Sequence, residues 1–324
     1  MNVLVTGGAG FIGSHVVREL IQANHTVVAY DIQIESNSLE YVLDEAERSR
    51  MSVVTGDVND AGEFIRILRE HNSEAIVHLA SPLSSQTESD PALAIRNMVE
   101  AHHVVLEAAR LANLRKVVWA SSVGVYGSPK QYNDLPLPND APHYPTSLYG
   151  ACKSFNEYLS TFYTDKYGID TLGLRFPLVY GVGRMRGNGM YFVNLVERPA
   201  LGLPCQVPLA DAEYGWLYVV DAASLVAQAL CTEKTPTRNF NVAGEFASMR
   251  KAVEIIRGWI PDAEFELEPG EYPIVQELDS SKLRNEVGFV PSWSLKKGLH
   301  DCLNIVRTRA GLPLLESLEH SSHT

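Results

Sequence analysis

Short apolar runs alternate with amphipathic stretches through the first 180 residues. Val3-Leu4-Val5 is an apolar run that stops at glycines, and Phe11 to Ala23 follows at once as an amphipathic stretch. The chain therefore opens as strand, tight turn, helix. His25 to Asp31 reads as a second strand. Met51 to Thr55 reads as a third, closed by Gly56-Asp57, and Ala61 to Glu70 as a helix. Ala75 to Ala80 is a fourth strand without polar alternation, the pattern of a parallel strand covered on both faces. Ser81 to Asp90 is rich in Ser and Thr and reads as a polar loop. Pro91 suits the first turn of a long helix running to about Asn113. Lys116 to Ala120 is a fifth strand ending in Ser121-Ser122. Five prolines between Pro129 and Pro145 predict an irregular surface excursion. A helix from about Ser147 to Tyr167 precedes a sixth strand, Asp170 to Phe176.

Strands alternating with helices predict an α/β fold, a Rossmann doubly wound parallel sheet with its ligand crevice at the carboxyl ends of the strands. Gly7, Asp31, Asp57, Ala80, Ser122 and Phe176 all fall at or just after such ends. After Gly181 the alternation loosens. Helical patterns near 191–201, 221–231, 249–259 and 295–309 mix with short strands at 215–219 and 239–242. This predicts a smaller C-terminal α/β substrate lobe. The division expected is 1–180 for a dinucleotide-binding domain and 181–315 for the lobe, with some segments free to return to the main sheet. A frayed tail is expected over 316–324.

Composition narrows the class. The 324 residues are 45% hydrophobic and 20% charged, with 39 acids against 27 Lys and Arg. A net charge of −12 without a Lys/Arg run argues against nucleic acid or an anionic membrane as partner. No apolar stretch is long enough to span a bilayer, and the sequence begins directly with a core strand rather than a signal peptide. Cys152, Cys205, Cys231 and Cys302 have no paired spacing, so reduced thiols in a cytoplasmic protein are expected, with neither zinc nor disulfides. His78, His102 and His103 lack metal-ligand spacing, and no metal is expected.

Gly8-Ala9-Gly10-Phe11-Ile12-Gly13 fits the G-x-G-x-x-G dinucleotide fingerprint, and Gly7, Gly10 and Gly13 share a second frame of three. One glycine turns the chain, one lets backbone N–H groups approach a pyrophosphate, and one lets the helix pack on the strand. The helix start, at Phe11 and Ile12, offers unpaired donors to phosphate. The second strand ends in Asp31 at the expected distance. A carboxylate there accepts from the ribose hydroxyls of NAD and repels the 2′-phosphate of NADP, so NAD is the cofactor expected.

Tyr149 and Lys153 lie at i and i+4, one turn apart on one helix face. A tyrosine needs its pKa lowered by about 3 units to act as a base at neutral pH, which a nearby ammonium, helped by the positive nicotinamide ring, supplies only in a partly dry cleft. Ser122 would hold the substrate oxygen while Tyr149 takes the alcohol proton.

With these residues in view, the chain resembles the extended short-chain dehydrogenase/reductase family, also called the NAD-dependent epimerase/dehydratase family. The resemblance lies in Thr6 to Ser14, Gly56-Asp57-Val58, His78-Leu79-Ala80, Asn97, Ser121 to Gly127, Tyr149 with Lys153, Leu174 to Pro177, and Val219 to Ala223. It implies a Ser122–Tyr149–Lys153 catalytic set, with Lys153 also bonding the nicotinamide ribose. It implies a cofactor site completed by Asp57, Val58, Leu79, Ala80, Ser81, Asn97, Tyr149, Lys153, Phe176 and Pro177. Substrate would meet Ser81, Ser122, Val123, Tyr149, Leu178 and Arg184. Homodimers through the helices near 91–113 and 147–167 are also implied.

The departures bear on substrate. Nucleotide-sugar enzymes of this family usually carry Asn where this chain has Leu178, and a diphosphate-gripping Arg where it has Tyr214. Arg184 or Arg186 would then either substitute for that diphosphate grip or meet a smaller anion such as a carboxylate. Val123 and Gly124 stand where dehydratases carry acids. The expectation is hydride transfer at a secondary hydroxyl of a small sugar-like, polyol or hydroxy-acid substrate. The alternatives are a UDP-sugar-type 4-epimerase with retained NAD, and a non-catalytic NAD-sensing regulator.

Overall fold

A computed structural model describes residues 1–34, 38–82, 84–185 and 190–316. Its strands are β1 (Asn2–Thr6), β2 (Thr26–Asp31), β3 (Met51–Thr55), β4 (Ala75–His78), β5 (Lys116–Ser122), β6 (Thr171–Phe176), β7 (Leu178–Tyr180), β8 (Cys205–Val207), β9 (Glu213–Tyr218), β10 (Asn239–Asn241), β11 (Glu245–Ser248) and β12 (Phe265–Leu267). The main sheet has seven strands in the order β10-β6-β5-β4-β1-β2-β3, every neighbouring pair parallel. Strand order reverses between β1 and β4, where a crevice opens. Val3, Leu4 and Val5 are buried on both faces of the sheet, which explains their unbroken apolar run.

The second half of the chain is not a separate layer. β10 joins the main sheet beside β6, with Phe240 opposite Leu174. The helix Val219–Cys231 buries Ala222, Leu225, Val226 and Ala229 in the same core as Val16, Val17 and Leu20 of the first helix, Phe11–Gln22. The 239–242 strand expected in the lobe therefore belongs to the main sheet, because Phe240 finds its cover there. What remains outside is a small sheet, β11-β9-β7, a β8–β12 pair, and the helices Met190–Ala200, Met249–Arg257 and Leu295–Arg309.

Two further differences are local. The polar loop expected at 81–90 contains a short helix, Ser84–Ser89, anchored by buried Thr87, whose Oγ1 donates to the Ser84 carbonyl at 2.6 Å. The helix from Pro91 to Leu111 is continuous but contains a π-helical stretch, Ile95–Glu100. The Met98 carbonyl there accepts from Asn156 Nδ2 at 2.9 Å, a bond from the neighbouring helix Leu148–Tyr167. Of the expected tail, 317–324 lies outside the described residues. No described helix is long and apolar enough to cross a membrane.

Candidate active site

The crevice begins at the glycine turn. Gly7 adopts φ +69°, and a Cβ on it would lie 2.7 Å from the Ala80 nitrogen. A Cβ on Gly13 would lie 2.0 Å from the Gly7 carbonyl oxygen. Gly10 N-caps the helix starting at Phe11 without a side-chain cap, and its own N–H donates to the Gly7 carbonyl at 3.0 Å. No acidic residue occupies that helix's first turn. The helix N-terminus thus keeps unpaired donors and a partial positive charge facing the crevice.

A cavity of about 480 Å³ runs from this turn along the strand ends. Gly7, Gly10, Phe11, Ile12 and Gly13 line one side, with Asp31 at the end of β2. Asp57, Val58 and Asn97 line the far side, and Leu79, Ala80 and Ser81 the wall after β4. Asp31 Oδ2 accepts from the Ala9 N–H at 3.1 Å, so this carboxylate is tied to the glycine turn. Asn59 joins Asp57 and Asn97, donating from Nδ2 at 3.0 Å to each. A backbone cradle with no room for Cβ, a helix N-terminus free of acids, and a carboxylate at the end of β2 together fit NAD.

The chemical end lies beyond Ala120. Lys153 is 5% exposed and donates from Nζ to the Ala120 carbonyl at 2.7 Å. Its ammonium stands 5.6 Å from the centroid of the Tyr149 ring. Ser122 ends β5 opposite Phe176, the last residue of β6, and hydrogen-bonds the Tyr149 hydroxyl. A Cβ on Gly124 would lie 3.4 Å from Ser122 Oγ and 3.6 Å from the Tyr149 ring, so Ser122 and Tyr149 meet across a small residue. Pro177 and Leu178 continue from β6 into β7, where Leu178 pairs with Trp216 of β9. This brings the expected catalytic set together at one strand end.

Burial pushes the Tyr149 phenol up to about 12, while the Ser122 hydrogen bond and the Arg184 charge act in the other direction. Burial brings the Lys153 ammonium down to about 8. The expectation was that Lys153, helped by the positive nicotinamide ring, acidifies Tyr149 in a partly dry cleft. Desolvation dominates at the phenol, Lys153 is turned to the Ala120 carbonyl, and the Arg184 charge acts on the phenol from the crevice. Protein groups alone leave Tyr149 neutral at pH 7.

Several contributors have no sequence motif. Glu88 accepts from the backbone N–H groups of Leu148 and Tyr149 at 2.8 and 3.3 Å, capping the helix that carries the phenol. Glu157, one turn beyond Lys153, accepts from Ser121 Oγ at 2.6 Å and from Arg175 at 2.9 and 2.7 Å. The i+4 spacing from Lys153 was the available signal for Glu157. Tyr272 approaches Tyr149 from the C-terminal lobe, and nothing local in sequence marks it. Arg184 lines the crevice, whereas Arg186 lies outside the described residues. His78 and His102 are buried and neutral, bonded to Thr6 and Ser160. Among the described residues no group of three or more His, Cys, Asp or Glu is arranged to hold a metal ion.

Comparison with known proteins gives a consistent picture. Residues 3–243 match the family model described as the NAD dependent epimerase/dehydratase family. A UDP-glucose 4-epimerase of Mycolicibacterium smegmatis is 38% identical over 320 residues, covering 96% of this chain and 100% of that protein. The D-erythronate dehydrogenase of Cupriavidus necator is 32% identical over 234 residues, 69% of each chain. Among solved structures, the Thermus thermophilus UDP-glucose 4-epimerase in complex with NAD superposes with a TM-score of 0.81 at 26% identity, covering 95% of this chain and 99% of that one.

Proposed function

The chain belongs to the NAD-dependent epimerase/dehydratase family of extended short-chain dehydrogenases/reductases, and from that premise we propose that it is a dehydrogenase. Its substrate on this reading is a secondary alcohol on a small polyhydroxylated or carboxylated molecule that carries no nucleotide. Bound NAD supplies the hydride acceptor. Ser122 donates to the substrate oxygen, Tyr149 takes the alcohol proton, and Lys153 keeps a positive charge beneath the site.

The observation that carries this reading is Tyr214. It stands where nucleotide-sugar enzymes of the family usually place a diphosphate-gripping arginine. It is 2% exposed, its hydroxyl is 3.3 Å from that of Tyr191, and its ring packs 5.2 Å from Tyr272 and 5.2 Å from Phe192. A packed phenol offers no charge to a diphosphate, and Leu178 offers no hydrogen bond. The similarity to D-erythronate dehydrogenase, named for a hydroxy acid, supports the same direction. Val123 and Gly124, beside Ser122, supply no acid to a departing hydroxyl, which disfavours dehydration.

The second reading, a UDP-sugar 4-epimerase, is favoured by the full-length similarity to the Mycolicibacterium smegmatis protein. Incubation with NAD and candidate substrates separates the two. Stoichiometric NADH supports the dehydrogenase. An inverted UDP-sugar without net NADH supports the epimerase and overturns the first reading. We also propose a homodimer, since Phe155, Tyr158 and Phe162 are exposed along one helix and Ile95 and Leu111 on its neighbour.

A further inference from the structure

We infer that Arg184 is the carboxylate subsite of a hydroxy-acid substrate. The inference rests on the dehydrogenase reading above and gives the substrate its chemical class.

The segment that carries Arg184 is pinned from the cofactor side. His15 Nε2 and Ser38 Oγ, both on buried residues, bond the carbonyl oxygens of Val182 and Gly183 at 3.0 and 2.8 Å. Gly183 adopts φ +93°, and a Cβ on it would lie 3.2 Å from the Val42 side chain, so the backbone has little freedom there. The guanidinium carbon then lies 4.5 Å from the centroid of the Phe11 ring, and Nη2 donates to the Val179 carbonyl at 3.2 Å. One carbonyl leaves most of a guanidinium's five donors for a ligand.

Among the described residues Arg184 forms no ion pair. Arg175, a few residues earlier, is by contrast bound to Glu157 through two nitrogens. Desolvation already acts against the Arg184 charge. A guanidinium drawn from water without a counter-ion is unfavourable, and a carboxylate arriving in bidentate geometry offsets that cost.

The surroundings indicate which anion. Phe11 begins the helix whose N-terminus suits a cofactor phosphate, so cofactor phosphate is the rival ligand. On its other side, Arg184 is close enough to Tyr149 and Tyr191 for its charge to act on both phenols. Tyr149 is the group that takes the substrate proton, so a molecule whose carboxylate meets Arg184 can present its carbinol to Tyr149. The positions that would receive a diphosphate are Leu178 and buried Tyr214. A short acid with a hydroxyl near its carboxylate satisfies both groups.

The test uses NAD-saturated enzyme and calorimetric titration with aldonates and the alditols of the same carbon skeletons. Wild type is expected to bind at least one aldonate roughly 30-fold or more tightly than its alditol. In Arg184→Met this preference falls to about threefold or less, and Arg184→Lys retains part of it as a point charge without the planar fork. NAD affinity of Arg184→Met, followed by fluorescence titration, stays within about fivefold of wild type, because the glycine turn rather than Arg184 holds the phosphates. A larger loss would assign Arg184 to a cofactor phosphate and overturn the inference, as would equal binding of aldonates and alditols by wild type. NADH formation is followed separately by absorbance, and the affinity comparison is repeated in a Tyr149→Phe background, where binding is measured without turnover. An aldonate held through Arg184 with no NADH formed therefore sustains the subsite while the dehydrogenase reading fails.

Discussion

The ammonium of Lys153 stands 5.6 Å from the centroid of the Tyr149 ring, yet its hydrogen bond goes to the Ala120 carbonyl. Burial moves the two groups in opposite directions on the pH scale, the phenol to about 12 and the ammonium to about 8. With protein groups alone, Lys153 loses its proton before Tyr149 does. A working phenolate therefore needs more positive charge than Lys153 provides, and the oxidised nicotinamide ring bears one.

Tyr149→Phe removes the proposed base and leaves the glycine turn intact. The expected result is a fall in turnover of about 10²–10⁴-fold with NAD affinity little changed. Steady-state kinetics and fluorescence titration check the two halves separately. Retained turnover would assign the proton to another group.

Lys153 also has a stability consequence. Its folded pKa, about 8, lies below the ordinary value of 10.5, so between those values the unfolded chain binds more protons. Stability contributed by this group therefore rises with pH across that window. At pH 7 the buried ammonium is therefore a net cost to stability, on the order of 3 kcal/mol. Lys153→Met should accordingly be more stable than wild type at pH 7 while losing activity, and should lose the rise above pH 8. Urea denaturation of both proteins at pH 7 and pH 10 measures the difference, in which other titrations cancel. Equal pH dependence in the two proteins would contradict the buried charge.

The glycine turn predicts a ranking. A Cβ at position 13 would lie 2.0 Å from the Gly7 carbonyl oxygen, whereas one at position 10 would lie 3.1 Å from the same atom. Gly13→Ala should abolish NAD binding and lower the melting temperature. Gly10→Ala should weaken binding by about tenfold, near 1.4 kcal/mol. Calorimetric titration with NAD gives both values, and the reverse order would refute the steric account.

These residues were legible because their chemistry is local. Glycine spacing, a Tyr and Lys one turn apart, and a Ser at a strand end can each be read within a few positions. Partners decided by the folded chain were not. The three residues of β10 join the main sheet because Phe240 is covered there, and no local pattern states that. Tyr272 reaches Tyr149 from more than a hundred residues away, and Glu88 caps a helix sixty residues downstream. Leu178 and Tyr214 could be read as missing polar grips, but only packing reveals that Tyr214 fills its space.

The proposed dimer rests on one exposed face. Tyr158 is 70% exposed on the helix Leu148–Tyr167, with Phe155 and Phe162 on either side. A charge placed there should split the assembly without touching the core. Tyr158→Glu is expected to sediment as a monomer where wild type sediments as a dimer. A wild type that is monomeric at micromolar concentration would remove the proposal.

The ion pair between Glu157 and Arg175 supports the site from below. Glu157 shares its stripe of helix with Tyr149 and Lys153, and its carboxylate also holds Ser121, the neighbour of Ser122. Arg175 carries the fixation onward, donating from Nη1 to Tyr126 Oη, the Asn139 carbonyl and Asn241 Oδ1. Both partners are buried, so removing one leaves the other charge without water or its counter-ion. Glu157→Gln and Arg175→Met should each destabilise by about 3–5 kcal/mol. The double variant should recover part of that loss, since no lone charge then remains. Turnover should not recover with stability, because Ser121 keeps only a neutral partner and the distance between Ser122 and Tyr149 is no longer fixed by a charged clamp. A denaturation and kinetic cycle on the four proteins tests both halves. If turnover returned in step with stability, the pair would serve the fold alone and the alignment of Ser122 with Tyr149 would have another source.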